Sequence, residues 1–166
     1  MMQLNFIAFA VAALVPLLIG FVWYNPKVLG TAWMKAAGLN EEKMQGSNML
    51  LLFGLTYLLS FFIAFALNFM VIHQWGVFGT LLSPDFENPA SEARQLADNI
   101  MSKYGHNYRS FGHGVIHGTI GGLFLATPIL TINALFERKG FAYIAINAGY
   151  WIACFAIMGG IICAWV

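Results

Sequence analysis

The sequence predicts an all-α integral membrane protein, a four-helix bundle with short interfacial helices in its first and second connectors. The chain of 166 residues is 60% hydrophobic and only 9% charged, whereas soluble domains average roughly 25% charged residues. All charged side chains lie in three connectors, so that residues 1–26, 44–84, 110–136 and 140–166 carry none. Each uncharged segment is long enough to cross a bilayer, where a charged side chain costs several kcal/mol.

We predict one domain over residues 1–166. The four spans are expected at about 4–23, 49–73, 113–136 and 141–166. Twenty helical residues cover about 30 Å, which matches the hydrocarbon thickness. Asn25-Pro26 ends the first span, because the residue before a proline avoids helical geometry. The N-terminus lacks the basic residues and small-residue cleavage site of a signal peptide, so we interpret the first span as a retained helix.

Two prolines lie inside predicted spans. Pro16 in the first span and Pro128 in the third each remove a backbone donor, which predicts a kink. Thr127 and Thr131 flank Pro128 and can satisfy the carbonyl that it leaves free.

The charges in the connectors predict an orientation. Four spans place both termini on one side, named side A, and the first and third connectors on the opposite side, named side B. Side B carries the basic residues Lys27, Lys35, Lys43, Arg138 and Lys139, and side A carries Arg94, Lys103, Arg109 and the terminal amine. The positive-inside rule therefore predicts that side B faces the cytoplasm and that both termini lie outside. A dual-topology dimer is the alternative.

The first connector contains a helical pattern. Apolar residues recur at helical spacing, and Gly38 follows as a stop signal; these residues are Val28, Leu29, Ala32, Trp33, Ala36 and Ala37. We predict a short helix along side B, with Trp33 at headgroup level. Asn40 can then cap a turn that begins at Glu41.

The second connector, residues 74–112, is long for a four-span protein. One helical face is apolar, with Ala93, Leu96, Ala97, Ile100, Met101 and Tyr104, and the other is polar. Arg94 and Asp98 are spaced for an i, i+4 ion pair. This pattern predicts an amphipathic helix over the bundle on side A. Long structured loops are often functional, and a cover for helix ends is the alternative.

All four histidines map to side A. His73 ends the second span, His106 and His113 precede the third, and His117 lies one turn inside it. His113 and His117 share a helix face at i, i+4 spacing, which suits a metal ion. His73 can add a third ligand if the second and third spans touch, and Asp85, Glu87 or His106 can contribute one from the second connector. Nitrogen donors favour zinc, copper or iron. The alternative is packing, for example a hydrogen bond from His117 to Asn68 across helices.

A second polar group lies toward side B. Its members come from three spans and are Trp23, Tyr24, Asn25, Asn133, Tyr143, Asn147, Tyr150 and Trp151. Buried amides in a membrane need hydrogen-bond partners. Interhelical hydrogen bonding accounts for the group, and a small ligand-binding pocket open to the cytoplasm is the alternative.

Small residues repeat every fourth position on the third and fourth spans. The three ladders are Gly114, Gly118 and Gly122; Ala145, Gly149 and Ala153; and Ala156, Gly160 and Ala164. Such faces let helix backbones approach closely. They predict tight packing within the chain and a homo-oligomer in contact with membrane lipids. The cysteines Cys154 and Cys163 are too far apart in one helix for a mutual disulfide, and we expect buried thiols.

Several motifs form a pattern that extends along the chain. Gly20-Phe21-Val22-Trp23-Tyr24-Asn25-Pro26, Trp33-Met34-Lys35 and Gly38-Leu39 open the pattern, and the runs 111–118, 133–139 and 146–151 continue it. Over nearly the whole chain the sequence resembles the domain of unknown function 1761 family of small bacterial membrane proteins, as a Bacteroidota-type member. The resemblance implies a bacterial inner-membrane location, four spans and no established activity.

Three hypotheses for function remain. The first is a non-enzymatic structural, interaction or small-ligand-binding oligomer, with a metal ion among the candidate ligands. The second is a transporter or channel formed by a homo-oligomer. The third is a metal-dependent membrane enzyme that uses the histidines. No nucleic-acid partner is expected, because the net charge is +1 and no basic stripe is present.

Overall fold

The computed structural model describes residues 3–40, 42 and 46–166, and every regular element in this part of the chain is a helix. Four helical segments are long and apolar enough to cross a membrane: Phe6–Trp23, Met49–Val71, Phe111–Phe136 and Phe141–Ala164. We name them the first to fourth spans. The predicted all-α membrane bundle is confirmed.

The fourth span forms the centre of the bundle and contacts the three other spans. Its Cys154, Met158 and Ile162 pack with Phe9 of the first span and Leu67 of the second. Most side chains of the second and third spans lie outside this core. A helix that is apolar on its outer face as well is typical of contact with lipid.

Glycines allow close contact between the third and fourth spans. A Cβ atom on Gly114 would overlap the carbonyl group of Gly159, and one on Gly118 would overlap that of Phe155. The predicted tight packing of this ladder is therefore present inside the chain. The homo-oligomer stays a prediction.

Both prolines accompany an interruption of the regular α-helix. The first span consists of Phe6–Ala12 and Val15–Trp23, which begins just before Pro16. The third span consists of Phe111–Gly121, a π-helical turn at Gly122–Ala126, and Thr127–Phe136. A π-helical turn before a proline is a known way to accommodate the missing donor.

The threonines near Pro128 do not bond to the carbonyl that the proline leaves free, as was predicted, but to other backbone carbonyls. Thr127 Oγ1 donates to the Gly122 carbonyl at 2.9 Å, and Thr131 Oγ1 donates to the Thr127 carbonyl at 2.7 Å. Neither bond reaches Phe124, whose carbonyl precedes Pro128 by four residues. The threonines instead stabilise the turns on both sides of it.

The first connector contains the predicted short helix. A π-helical turn at Pro26–Gly30 leads into Thr31–Ala37, which ends at Gly38 with a left-handed φ of 73°. Glycine adopts this conformation without steric cost, which explains the stop. The predicted turn at Glu41 lies outside the described residues, and so does Lys43.

The second connector contains two helices, of which only one was predicted. Glu92–Tyr104, named the loop helix, is capped by Ser91, and its Arg94–Asp98 ion pair is formed at 2.8 Å. The unpredicted helix, Gln74–Leu81, has two glycines and no charged face to mark it. The loop helix packs against this second helix, which places it beside the end of the second span.

Candidate metal centre

Three histidines converge at the side A ends of the second and third spans. His73 follows the second span directly before the helix Gln74–Leu81. His113 and His117 lie in the first two turns of the third span. Because they are four residues apart on one helix, they present their rings from the same face.

The three rings are close enough to share one ion. Nε2 of His73 and Nε2 of His113 are 2.9 Å apart, and one ligand nitrogen from each of the three residues lies within 4.8 Å of the others. The ring centroid of His117 is 4.6 Å from that of His73 and 4.5 Å from that of His113. Nitrogens bound at tetrahedral zinc distances are about 3.3 Å apart. Small side-chain rotations therefore suffice for coordination.

The cluster offers imidazole nitrogens as metal ligands. The short contact between His73 and His113 is a hydrogen bond when one ring donates and the other accepts, which requires a neutral acceptor ring. Among the described residues no carboxylate belongs to the group. Three imidazoles with a fourth position left for water resemble the ligand sets of open zinc sites, and they also suit copper or iron.

One face of the cluster is open. His73 is exposed, whereas His113 and His117 are partly buried. An ion bound here would exchange with the surroundings on side A without passing through the bundle. Such access distinguishes the cluster from a closed structural site.

Gln74 positions the segment that leads into the third span. Its Nε2 donates to the carbonyl of Gly105 at 3.1 Å and to that of Asn107 at 2.8 Å. Gln74 is buried next to His73 in sequence. Of these two neighbouring residues, His73 provides one ligand. Gln74 holds the segment that precedes the other two ligands, His113 and His117.

Arg109 ties this segment to the fourth span. Its Nε donates to the Cys163 carbonyl and one terminal nitrogen donates to the Trp165 carbonyl, both at 2.8 Å. Cationic donors at the last carbonyls of a helix are favourable. The Ser110 side chain then accepts from the backbone N–H of His113 and caps the third span.

Tyr108 lies over the cluster and was missed by sequence reasoning. Its ring centroid is 5.1 Å from that of His113, with the planes inclined at 32°. Its φ of 61° is in the left-handed region, which non-glycine residues rarely adopt. Cys163 Sγ donates to the Tyr108 carbonyl at 3.3 Å, which helps to hold this conformation. No sequence motif marks the position, because the role depends on backbone conformation.

Other candidate ligands from the sequence lie outside the cluster. His106 is exposed and is not among the three converging residues. Among the described residues the structure shows no hydrogen bond between His117 and Asn68, and the Asn68 Nδ2 has no partner. The contacts of the His117 ring are instead with His73 and His113.

The polar group toward side B forms hydrogen bonds between the first and fourth spans. Tyr24 Oη donates to Asn147 Oδ1 at 2.9 Å, and Trp23 Nε1 donates to the Ile146 carbonyl at 3.1 Å. Asn147 Nδ2 donates to the Tyr143 carbonyl at 2.8 Å within its own helix. These bonds match the interhelical interpretation of the group.

Burial and neighbours alter the chemistry of Tyr24. Burial, with smaller contributions from Cys154 and Tyr143, raises the pKa of the Tyr24 hydroxyl well above its ordinary value. The hydroxyl is therefore held in its protonated form, in which it can donate to Asn147.

The remaining members of the side B group have separate roles. Tyr150 Oη donates to the Pro16 carbonyl at 2.8 Å, and Trp151 packs against Tyr150. The Asn25 side chain accepts from the Lys27 backbone N–H and caps the turn that follows. Asn133 is exposed on the third span and makes no side-chain hydrogen bond within the described residues. The structure thus brings together Trp23, Tyr24, Tyr143, Asn147, Tyr150 and Trp151. The side chains of Asn25 and Asn133 do not take part in these contacts.

Fold and site define a four-span integral membrane protein with a histidine cluster at one membrane face. The family described as Protein of unknown function (DUF1761) matches residues 7–163, nearly the whole chain, and the chain belongs to this family. No curated protein and no solved structure matches the chain. The match confirms the family indicated by the sequence motifs, and the assignment to a Bacteroidota-type member stays a prediction.

Proposed function

We propose that this protein is a small, non-enzymatic membrane protein that binds one transition-metal ion through His73, His113 and His117. The observation that carries the proposal is the convergence of one ligand nitrogen from each residue within 4.8 Å. Two of the ligands come from the third span and one follows the second. Zinc, copper and iron are the candidate ions, because imidazole is a common ligand for all three.

Two features support binding of an exchangeable ion. The exposed side of His73 gives access from side A, and the three-ligand set leaves room for water or a further ligand. The spans contain no charged residue that could serve as a general acid or base near the cluster. A binding role therefore fits the residues better than catalysis does.

Elemental analysis tests the proposal. The full chain is purified in mild detergent, incubated separately with zinc, copper or iron, freed of unbound ion and analysed for metal per protein. We expect one ion per chain for at least one metal, and loss of that ion in the His113→Ala/His117→Ala variant. His106→Ala is the matched control and should retain it. A double variant that holds as much metal as the parent overturns the proposal.

We also propose an inner-membrane location with side B in the cytoplasm, so that the histidines face outward. The excess of basic residues on side B supports this orientation. A reporter that folds only outside the cytoplasm should be active when fused after Val166. Activity of a cytoplasm-only reporter at the same position contradicts the orientation.

A further inference from the structure

A polar cavity of about 180 Å³ lies on side A among the first, second and fourth spans. Its lining includes Asn5, Phe9, Asn68, Ile72, Arg109 and Ile162. None of the three clustered histidines lines it, so the cavity is separate from the candidate metal centre. It has room for several water molecules or for one tetrahedral oxyanion.

Asn68 supplies an unpaired donor to this cavity. The residue lies one turn before the end of the second span, and only 3% of its surface is exposed. Its Nδ2 has no hydrogen-bond partner among the described residues. An unpaired amide at membrane depth is costly. An acceptor atom of a ligand in the cavity that Asn68 lines would pair this group.

Arg109 supplies a positive charge and a further donor. Its Nε donates to a carbonyl in the last turn of the fourth span and one terminal nitrogen donates to the Trp165 carbonyl just after it, which fixes the guanidinium plane. The second terminal nitrogen makes no hydrogen bond within the described part of the chain. A fixed guanidinium with a free N–H matches the oxygens of a phosphate group.

The one charged side chain in the described lining is cationic. Among the described residues of the lining, Arg109 carries the one charged side chain, and Val166 adds a main-chain carboxylate, which a bound oxyanion must avoid. The Asn5 side-chain oxygen is already bound to the Ala8 backbone N–H, so its amide nitrogen remains as a donor.

We propose that this cavity binds a phosphate oxyanion, which Arg109 neutralises and to which Asn68 donates a hydrogen bond. The cavity lies where the spans end, at the level of lipid headgroups. The oxyanion can therefore come from the phosphodiester of an anionic lipid or from free phosphate. Both share the chemistry that the two side chains recognise.

Two phosphate probes and one phosphate-free control test the proposal and show whether the oxyanion comes from a lipid or from free phosphate. The full chain, in an uncharged detergent and phosphate-free buffer, is titrated with inorganic phosphate, with short-chain phosphatidylglycerol, or with diacylglycerol of the same chain length. The readouts are the unfolding temperature and the bound mass in native mass spectrometry. We expect phosphatidylglycerol, alone or together with inorganic phosphate, to bind and raise the unfolding temperature, and diacylglycerol to have no effect. A response to phosphatidylglycerol alone identifies a lipid site.

Variants assign the binding to the cavity. Asn68→Leu should lower the affinity for the phosphate probe by about tenfold, which is the usual effect of losing a hydrogen bond to a charged group. Arg109→Gln should abolish binding. Ser60→Ala is the matched control, because Ser60 is also buried and unpaired in the second span but does not line the cavity. It should bind like the parent.

Three results would contradict phosphate binding in this cavity. The proposal is overturned when neither phosphate probe binds, when diacylglycerol acts as well as phosphatidylglycerol, or when Asn68→Leu binds like the parent. If Asn68→Leu does not fold, Asn68→Asp replaces it, because the carboxylate keeps the side-chain shape and repels an oxyanion. Unchanged binding in Asn68→Asp overturns the proposal equally.

Discussion

The Nε2 atoms of His73 and His113 lie 2.9 Å apart although 40 residues separate them in the chain. Their contact joins the end of the second span to the beginning of the third. His117 approaches the same pair from one turn deeper in the third span. An ion held by all three would therefore connect two spans that are otherwise linked on side A by a long connector.

Zinc should stabilise the protein through this connection. An ion at a hundred times its dissociation constant adds about 2.7 kcal/mol to the free energy of unfolding. We expect a higher unfolding temperature with zinc, reversed by EDTA. The stabilisation should be mostly lost in His73→Ala, because His113 and His117 lie on one helix. His106→Ala serves as the control. If zinc stabilises His73→Ala as much as the parent, the ion does not connect the second and third spans through His73.

Gly118→Ala should destabilise the bundle. The added Cβ would overlap the Phe155 carbonyl on the fourth span, which is backbone and cannot rotate away. Overpacking of this kind costs about 1–3 kcal/mol. Gly112→Ala in the same span is the control, because no atom lies within 4 Å of its added Cβ. Denaturant titration in detergent should show a loss only for Gly118→Ala, and equal stability of the two variants would contradict the packing.

The spans could be predicted from sequence because a water-facing helix keeps charged residues on its outer face, and these long segments have none. The pairing of His113 and His117 could also be predicted, because helical spacing alone places them on one face. The approach of His73 could be predicted only on the condition that the second and third spans touch. That contact depends on which faces of two helices meet, and lipid-exposed and buried faces are both apolar.

The same ambiguity accounts for the position of Asn133. Sequence placed it with the side B group because it lies near the same end of the third span. The structure exposes it, and no alternation of polar and apolar residues marks which way this helix is rotated. The donors at Gln74 and Arg109 were missed for a different reason. Their partners are backbone carbonyls, which no residue type identifies.

Tyr108→Ala should be less stable than Tyr108→Gly. Both variants remove the ring beside His113, but alanine keeps the steric cost of a φ of 61° and glycine does not. The left-handed conformation costs a non-glycine residue about 1–2 kcal/mol. Unfolding measurements on the two variants should differ by about that amount. Identical stability would show that the backbone changes its conformation when the ring is removed.

Tyr24→Phe should change how stability depends on pH. Because burial raises the pKa of Tyr24 in the folded state above the unfolded value near 10, its protonated hydroxyl contributes stability that is present below pH 10. That contribution falls as the pH rises from about 10 through the folded-state pKa. At pH 8 the variant should lose about 0.6 kcal/mol, typical of one interhelical hydrogen bond in a membrane protein. Tyr104→Phe, at an exposed position on the loop helix, should lose nothing at pH 8. The gap between parent and Tyr24→Phe should narrow above pH 10, and a gap that widens there would contradict the buried, protonated donor to Asn147.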